Sequence, residues 1–211
     1  MNNNWHKKEK PLLGLTGLGG GVDGLAVVGA AAFSTKYVDE VFSTYTYIGD
    51  GTNSHQIVNG VPLSSTGGLI WGKERGNTGS HYQFDTVRGL DKRLKSNSDA
   101  GEETDTFYSS VNSDGYTIEK TTSVNVSSNT YVSWTWAKKE GLLDIVSYTG
   151  NGSNRLINHS LGSVPGMMIV KCTSETRDWV VWQRHLETPA NYAAGYTSGD
   201  YYLKLNTYDF M

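Results

Sequence analysis

Cysteine is almost missing from this chain: Cys172 is the single one in 211 residues. No internal disulfide can form, so the fold must stand on packing and hydrogen bonds. Proline is scarce as well, at 4 residues, and leaves few forced breaks in extended backbone. Charge is thin, with 18% charged residues and a net charge of −3, so no broad field draws nucleic acid or an anionic membrane. Long apolar runs are missing too. The most apolar stretch, residues 11–33 (PLLGLTGLGGGVDGLAVVGAAAF), is cut by glycines and by Asp23, which argues against a membrane span and a secretion signal. No helical periodicity of useful length runs anywhere, apart from short turns expected near Thr35–Glu40 and Ala190–Ala194.

What is abundant points the other way. Glycine reaches 25 residues and tyrosine 13, and the polar content is serine, threonine and asparagine rather than charge. Short strands joined by tight turns use such a composition, and helix bundles do not. The expected fold class is all-β. Residues 1–35 read as a flexible Gly-rich assembly arm whose apolar residues Leu12, Leu13, Leu15, Leu18, Val22, Leu25 and Val27 order on contact with a neighbouring subunit. Gly19, Gly21 and Gly24 satisfy a dinucleotide-binding spacing, but without a preceding strand or following helix the match is fortuitous.

The body repeats itself. Tyr47–Asn53 (YIGDGTN) matches Tyr148–Asn154 (YTGNGSN), 101 residues on. The likeness continues from Ile57-Val58-Asn59 to Leu156-Ile157-Asn158, from Gly68–Lys73 to Gly166–Lys171, from His81–Phe84 to Trp179–Trp182, and from Leu94–Asn97 to Leu203–Asn206. This divides the body into a first β-repeat, 36–140, and a second, apparently incomplete one, 141–211, which would be a fragment's edge or would complete its sheet from a neighbour. Gly49, Asp50 and Gly51 in one copy, and Gly150, Asn151 and Gly152 in the other, form the repeat signature; Asx-Gly pairs supply the positive φ of a hairpin, so a shared hairpin is expected. Asn112–Ile118 predicts another hairpin. Thr130–Trp136 alternates with period two, placing Val132, Trp134 and Trp136 on one face, expected with Trp179 and Trp182 to be core. Met167–Cys172 reads as a buried strand, with Cys172 a structural thiol.

Catalytic signatures are not recognisable. The sequence has no H-E-x-x-H, G-x-S-x-G or P-loop, and its five histidines (His6, His55, His81, His159, His185) lack metal-ligand spacing. Neither cofactor nor metal is expected; Asp50 and Asp114 are explained by turn chemistry, though they and Asp85 are the calcium candidates. Paired acids in Glu102-Glu103-Thr104-Asp105 would suit glycoside hydrolysis, but a solvated acidic tip is the simpler reading. The basic strip Arg88, Lys92, Arg93, Lys95 reads likewise as a solvated strand edge. Aromatics are better functional candidates, because their rings stack on sugar faces. Tyr192, Tyr196, Tyr201 and Tyr202, set among Gly, Ser and Asn, are the candidate glycan or partner contacts.

VFSTYTYIGDG, GGLIWGKER, FDTVRG, NSDGYTI and YVSWTW, followed by DIVSYTGNGSNRLINHSLGSVPGMMIVK and DWVVWQR, resemble a repeat domain common in marine phage virion proteins. The closest likeness is to cyanophage and pelagiphage tail-fibre and adhesion-type proteins, over roughly Lys36 to Asn206. The resemblance implies tandem β-sandwich units of jelly-roll or concanavalin-like type, a virion location, assembly rather than catalysis, and trimers or other homo-oligomers. The expected function is then a bacteriophage virion structural protein, of tail-fibre or appendage type, acting in assembly and host adsorption. The alternatives are a capsid-surface decoration (cement) protein and a lectin-like carbohydrate-binding module; a polysaccharide depolymerase is the enzymatic outlier. Expected partners are other virion proteins through the arm, further copies of the chain, and host surface glycan, with no nucleic acid and no membrane insertion.

Overall fold

The computed structural model describes residues 38–184 and 202–207. The arm residues Leu12 to Val27, three of the four candidate tyrosines (Tyr192, Tyr196, Tyr201) and the turn expected at 190–194 lie outside them. The chain divides into a unit of residues 1–35 and one of residues 36–211; all described residues belong to the second.

That unit is all-β, built from several antiparallel sheets. In the first copy the strands are β1 (Phe42–Ile48), β2 (His55–Val58), β3 (Gly68–Glu74), β4 (Tyr82–Asp85), β5 (Gly89–Lys95), β6 (Glu103–Thr104), β7 (Tyr108–Asn112), β8 (Gly115–Ile118) and β9 (Thr130–Ala137), with one turn of α-helix, α1, at Leu63–Thr66 and a 3-10 turn at Val38–Glu40, within the stretch where a short turn is expected. A six-stranded sheet runs β1-β9-β3-β4-β5-β6 and a three-stranded sheet runs β2-β8-β7. Ile70 and Phe84 of the large sheet share one core with Ile57, Tyr108, Tyr116 and Ile118 of the small one. Two antiparallel sheets with a common apolar layer make a sandwich-like body.

Local chemistry accounts for the turns. β7 and β8 form the expected hairpin, Asn112 paired with Gly115. Gly115 has φ +154°, and a Cβ there would sit 1.9 Å from the Ile57 carbonyl oxygen, so only glycine lets β2 lie this close. The turn at Gly49–Gly51 is not the hairpin expected. β1 pairs with β9 and β2 with β8, so this turn carries the chain from one sheet to the other. Positive φ at Gly51 suits either use of the turn, which is why the Asx-Gly pair could not distinguish them.

The second copy supplies β10 (Met167–Val170), β11 (Val180–Gln183) and β12 (Leu203–Lys204), paired in that order as a three-stranded sheet. These strands correspond to β3, β4 and β5 in the sequence match, and the antiparallel order is the same. Trp179 fastens this sheet to the first copy: it is buried, and its indole N–H donates to the carbonyls of Lys95 and Ser98, both at 3.0 Å.

Met167–Val170 is a strand, but it is not buried as its apolar run predicts. Its four side chains are 41–58% exposed, and Cys172 is half-buried. Ten of the fifteen large apolar residues exposed among those described fall between Leu142 and Val170. Of the buried apolar ones, only Trp179 and Val181 belong to the second copy. Apolarity makes a strand buried only where another layer covers it, and the described residues place no layer over β10.

Candidate functional site

β9 reads T-Y-V-S-W-T-W-A, and its burial alternates strictly: Tyr131, Ser133, Thr135 and Ala137 are buried while Val132, Trp134 and Trp136 are intermediate. The period was legible and the facing was not. Trp134 and Trp136 lie on the outer face of the large sheet rather than in the core. The inner face has no room for indoles, because tyrosines of the small sheet reach across to it; a Cβ on Gly72 would stand 2.9 Å from the Tyr108 hydroxyl. Beside Gly72 the inward residues Ser133 and Thr135 are small, Tyr131 alone among the bulky residues of β9 turns inward, and the two indoles turn outward.

Register then assembles a ridge. Phe42 of β1 lies opposite Trp136, and Trp71 of β3 lies opposite Trp134. The rings contact in sequence: Phe42–Trp136 at 5.1 Å between centroids, Trp136–Trp71 at 6.4 Å, and Trp71–Trp134 at 6.2 Å, the last edge-to-face. All four rings are half-buried. The Trp71 indole N–H donates to His81 Nδ1 at 3.1 Å. Burial, with the Lys73 charge adding to it, lowers the His81 pKa, so a neutral imidazole presents the accepting nitrogen this bond needs. Thr44 and Thr46, opposite Trp134 and Val132, stand exposed beside the rings. A row of locked rings flanked by hydroxyls offers apolar stacking faces and hydrogen-bonding partners together. Sequence reasoning named two of these tryptophans and missed Phe42 and Trp71, which only cross-strand register brings alongside.

A family model described as a domain of unknown function, DUF7483, matches residues 37–208. The chain belongs to the DUF7483 family. Neither a curated protein nor a solved structure matches it. The matched span of DUF7483 includes both sequence copies and the whole aromatic ridge.

The acidic loop and the basic strip of the DUF7483 domain are not two solvated edges, as each reads alone, but one paired network. Arg88 bonds Asp85 at 2.6 Å and Glu102 at 2.8 Å; Arg93 bonds Asp105 at 2.6 Å and also Glu103; Lys95 bonds Glu103 at 2.8 Å. Pairing of Lys92 with Thr104 and Arg93 with Glu103 across β5 and β6 aligns the two sets. Arg93 further lies over the Phe107 and Tyr82 rings, at 5.0 and 5.4 Å. Each of these carboxylates is thus held by an arginine or a lysine.

The Lys95 hydrogen bond, aided by Arg93 and opposed by burial, holds the Glu103 carboxyl below its ordinary range. A depressed folded pKa stabilises above the unfolded value of about 4.3, and that contribution disappears as pH falls through the folded value. Melting temperature followed from pH 6 to pH 2 should therefore fall less steeply for Glu103→Gln than for the parent chain. Parallel acid limbs would show that the pairing contributes nothing.

The repeat signature adopts the same local conformation in both copies. Gly51 and Gly152 have φ +70° and +74°, and Asp50 and Asn151 each accept a hydrogen bond from the backbone two residues on, at 2.8 and 3.1 Å. Asp50 is further engaged by Asn125 Nδ2 at 3.1 Å and His55 at 3.2 Å; the Thr52 backbone bond first, against desolvation, then the Thr52 hydroxyl, Asn125 and His55, lower its pKa to about 2. Among the described residues no group of three or more His, Cys, Asp or Glu side chains is placed to hold a metal. Tyr202, the one described member of the tyrosine set, is half-buried just ahead of β12.

Proposed function

We propose that this DUF7483 chain is a bacteriophage virion structural protein of tail-fibre or appendage type that grips host surface glycan through its aromatic ridge. The observation that carries the reading is the placement of Phe42, Trp71, Trp134 and Trp136 on the half-open outer face of a six-stranded sheet. A core does not need those rings there, since Phe84, Tyr108 and Tyr116 already fill it. The sequence resemblance to phage adhesion repeats supplies the virion setting. Tandem sandwiches of jelly-roll or concanavalin-like kind, a Gly-rich arm that joins virion proteins and further copies, and action by binding rather than catalysis complete the proposal.

The test is a glycan array probed with the full chain and with Trp71→Ala and Trp134→Ala. Each removed stacking partner is expected to weaken binding at least tenfold, equivalent to about 1.4 kcal/mol, with the fold retained. A blank array, or binding indifferent to both variants, would remove the adsorption role. Reducing sugars released from host polysaccharide would overturn the non-catalytic reading. Density or antibody labelling on intact particles would test the appendage position against a capsid-surface one.

A further inference from the structure

Three features of the second copy belong together. The first is the outer edge of β10. Gly166 accepts a hydrogen bond from Arg184 N–H at 2.8 Å, so by strand alternation Gly166, Met168 and Val170 direct their backbone groups to β11. The backbone groups of Met167 and Ile169 then point away from it, and no described strand meets them. β3 has the same phase: Gly68 accepts from Thr86 N–H, and its alternate residues Leu69 and Trp71 face β9, opposite Trp136 and Trp134.

The second feature is the segment 143–149, the counterpart of β1. Apart from a bridge between Leu143 and Lys139 it forms no strand pairing among the described residues, and Val146 and Tyr148 are exposed. The third is the turn at Gly150–Gly152, which keeps the conformation of its first-copy counterpart although a Cβ at either glycine would meet nothing within 4 Å. In the first copy, Gly49 packs on the Val126 carbonyl and Asp50 bonds Asn125. β1, β3 and the Gly49–Gly51 turn all rest on one stretch, residues 125–137, which contains β9. The second copy has the sequence counterparts of both flanks and the same turn, without a counterpart of that stretch among the described residues.

We propose that a strand from a second copy of this chain inserts between residues 143–149 and β10, where β9 lies in the first copy, and that Leu25–Phe33 supply it. This rests on the assembly reading above and says where the arm goes. β10 is exposed on both faces, with Met167 and Ile169 on one and Met168 and Val170 on the other. A strand lying beside it must itself be apolar on both faces, which appears in sequence as a continuous run rather than an alternation. Leu25–Phe33 (LAVVGAAAF) is such a run. Its nine residues span about 30 Å when extended, enough to match β9, and its small side chains admit close backbone approach. Each copy gives one strand and accepts one, a heterologous contact that closes into a ring, such as a trimer, if the rotation allows.

The test uses the full chain. Light scattering should show an oligomer that Ile169→Pro dissociates, because proline removes an outward N–H and leaves the bonds to β11 in place. Val28→Asp, in the arm, should weaken association to the same extent, at least tenfold. In a Cys172→Ser background, chains carrying only Val27→Cys or Val28→Cys, mixed with chains carrying only Met167→Cys or Ile169→Cys, should form disulfide-linked pairs. An oligomer that survives both Ile169→Pro and Val28→Asp, or that gives no such pairs, overturns the inserted strand and leaves the assembly reading standing. A chain that stays monomeric at every concentration sinks both.

Discussion

Replacing Phe84 by alanine is expected to cost about 3–5 kcal/mol, the usual range for removing a buried aromatic ring. Phe84 is completely buried at the centre of the first copy. It packs on Tyr108 at 4.4 Å and Phe107 at 5.7 Å, and lies opposite Ile70 in the sheet. One ring thus joins the large sheet, the small sheet and the segment leading into β7. Domains of this size are stable by only about 5–15 kcal/mol, so the variant should be unfolded in a large fraction of molecules near physiological temperature. Urea titration measures the loss, with Phe84→Leu as the comparison that keeps most of the apolar volume. A loss below 1 kcal/mol for Phe84→Ala would mean that the two sheets do not share this core.

Trp179→Ala should have a loss of similar size and a different character, about 3–5 kcal/mol by the same cavity argument but confined to the second copy. Trp179 is the principal buried contact of β10, β11 and β12 with the loop at Lys95–Ser98. Further ties among the described residues are backbone bonds, Glu102 to Thr173 at 2.7 Å and Arg177 to Asp99 at 2.9 Å, and a Lys171 bond to the Asp99 carbonyl at 3.1 Å. Hydrogen exchange should therefore show β11 amides opening in the variant while β9 amides keep their protection. Trp179→Phe separates the ring from its N–H, and should cost about 1–3 kcal/mol for two carbonyls left without their donor. Equal loss of protection in β9 and β11 would show a single cooperative unit and refute the local anchor.

These outcomes turn on details the sequence shows unevenly. The strands and the Asn112–Ile118 hairpin were legible because alternation and turn chemistry are local signals. Which face of β9 turns inward was not. Indoles favour burial, but the phase was settled by Tyr108 and Tyr116 arriving from another sheet, and no local pattern records that. Asp50-Gly51 looked like a hairpin because positive φ at Gly51 serves a corner between sheets equally well. Met167–Val170 looked buried because hydropathy states what a strand prefers beside it, not whether that neighbour is present. Acidic and basic strips were each visible, yet their pairing depends on the register of β6 against β5, set by the intervening turn. Phe42 and Trp71 joined the aromatic ridge through register alone.

The ion pairs of Arg88, Arg93 and Lys95 carry a consequence for the solvents this surface can tolerate. Screening in electrolyte acts over the Debye length, which shrinks to about 3 Å at 1 M ionic strength. The partners here stand in contact at 2.6–2.8 Å, and Arg93 is roofed by Phe107 and Tyr82, so dissolved ions have little space to come between them. Brine should strip the protein of its long-range field long before it loosens this strip.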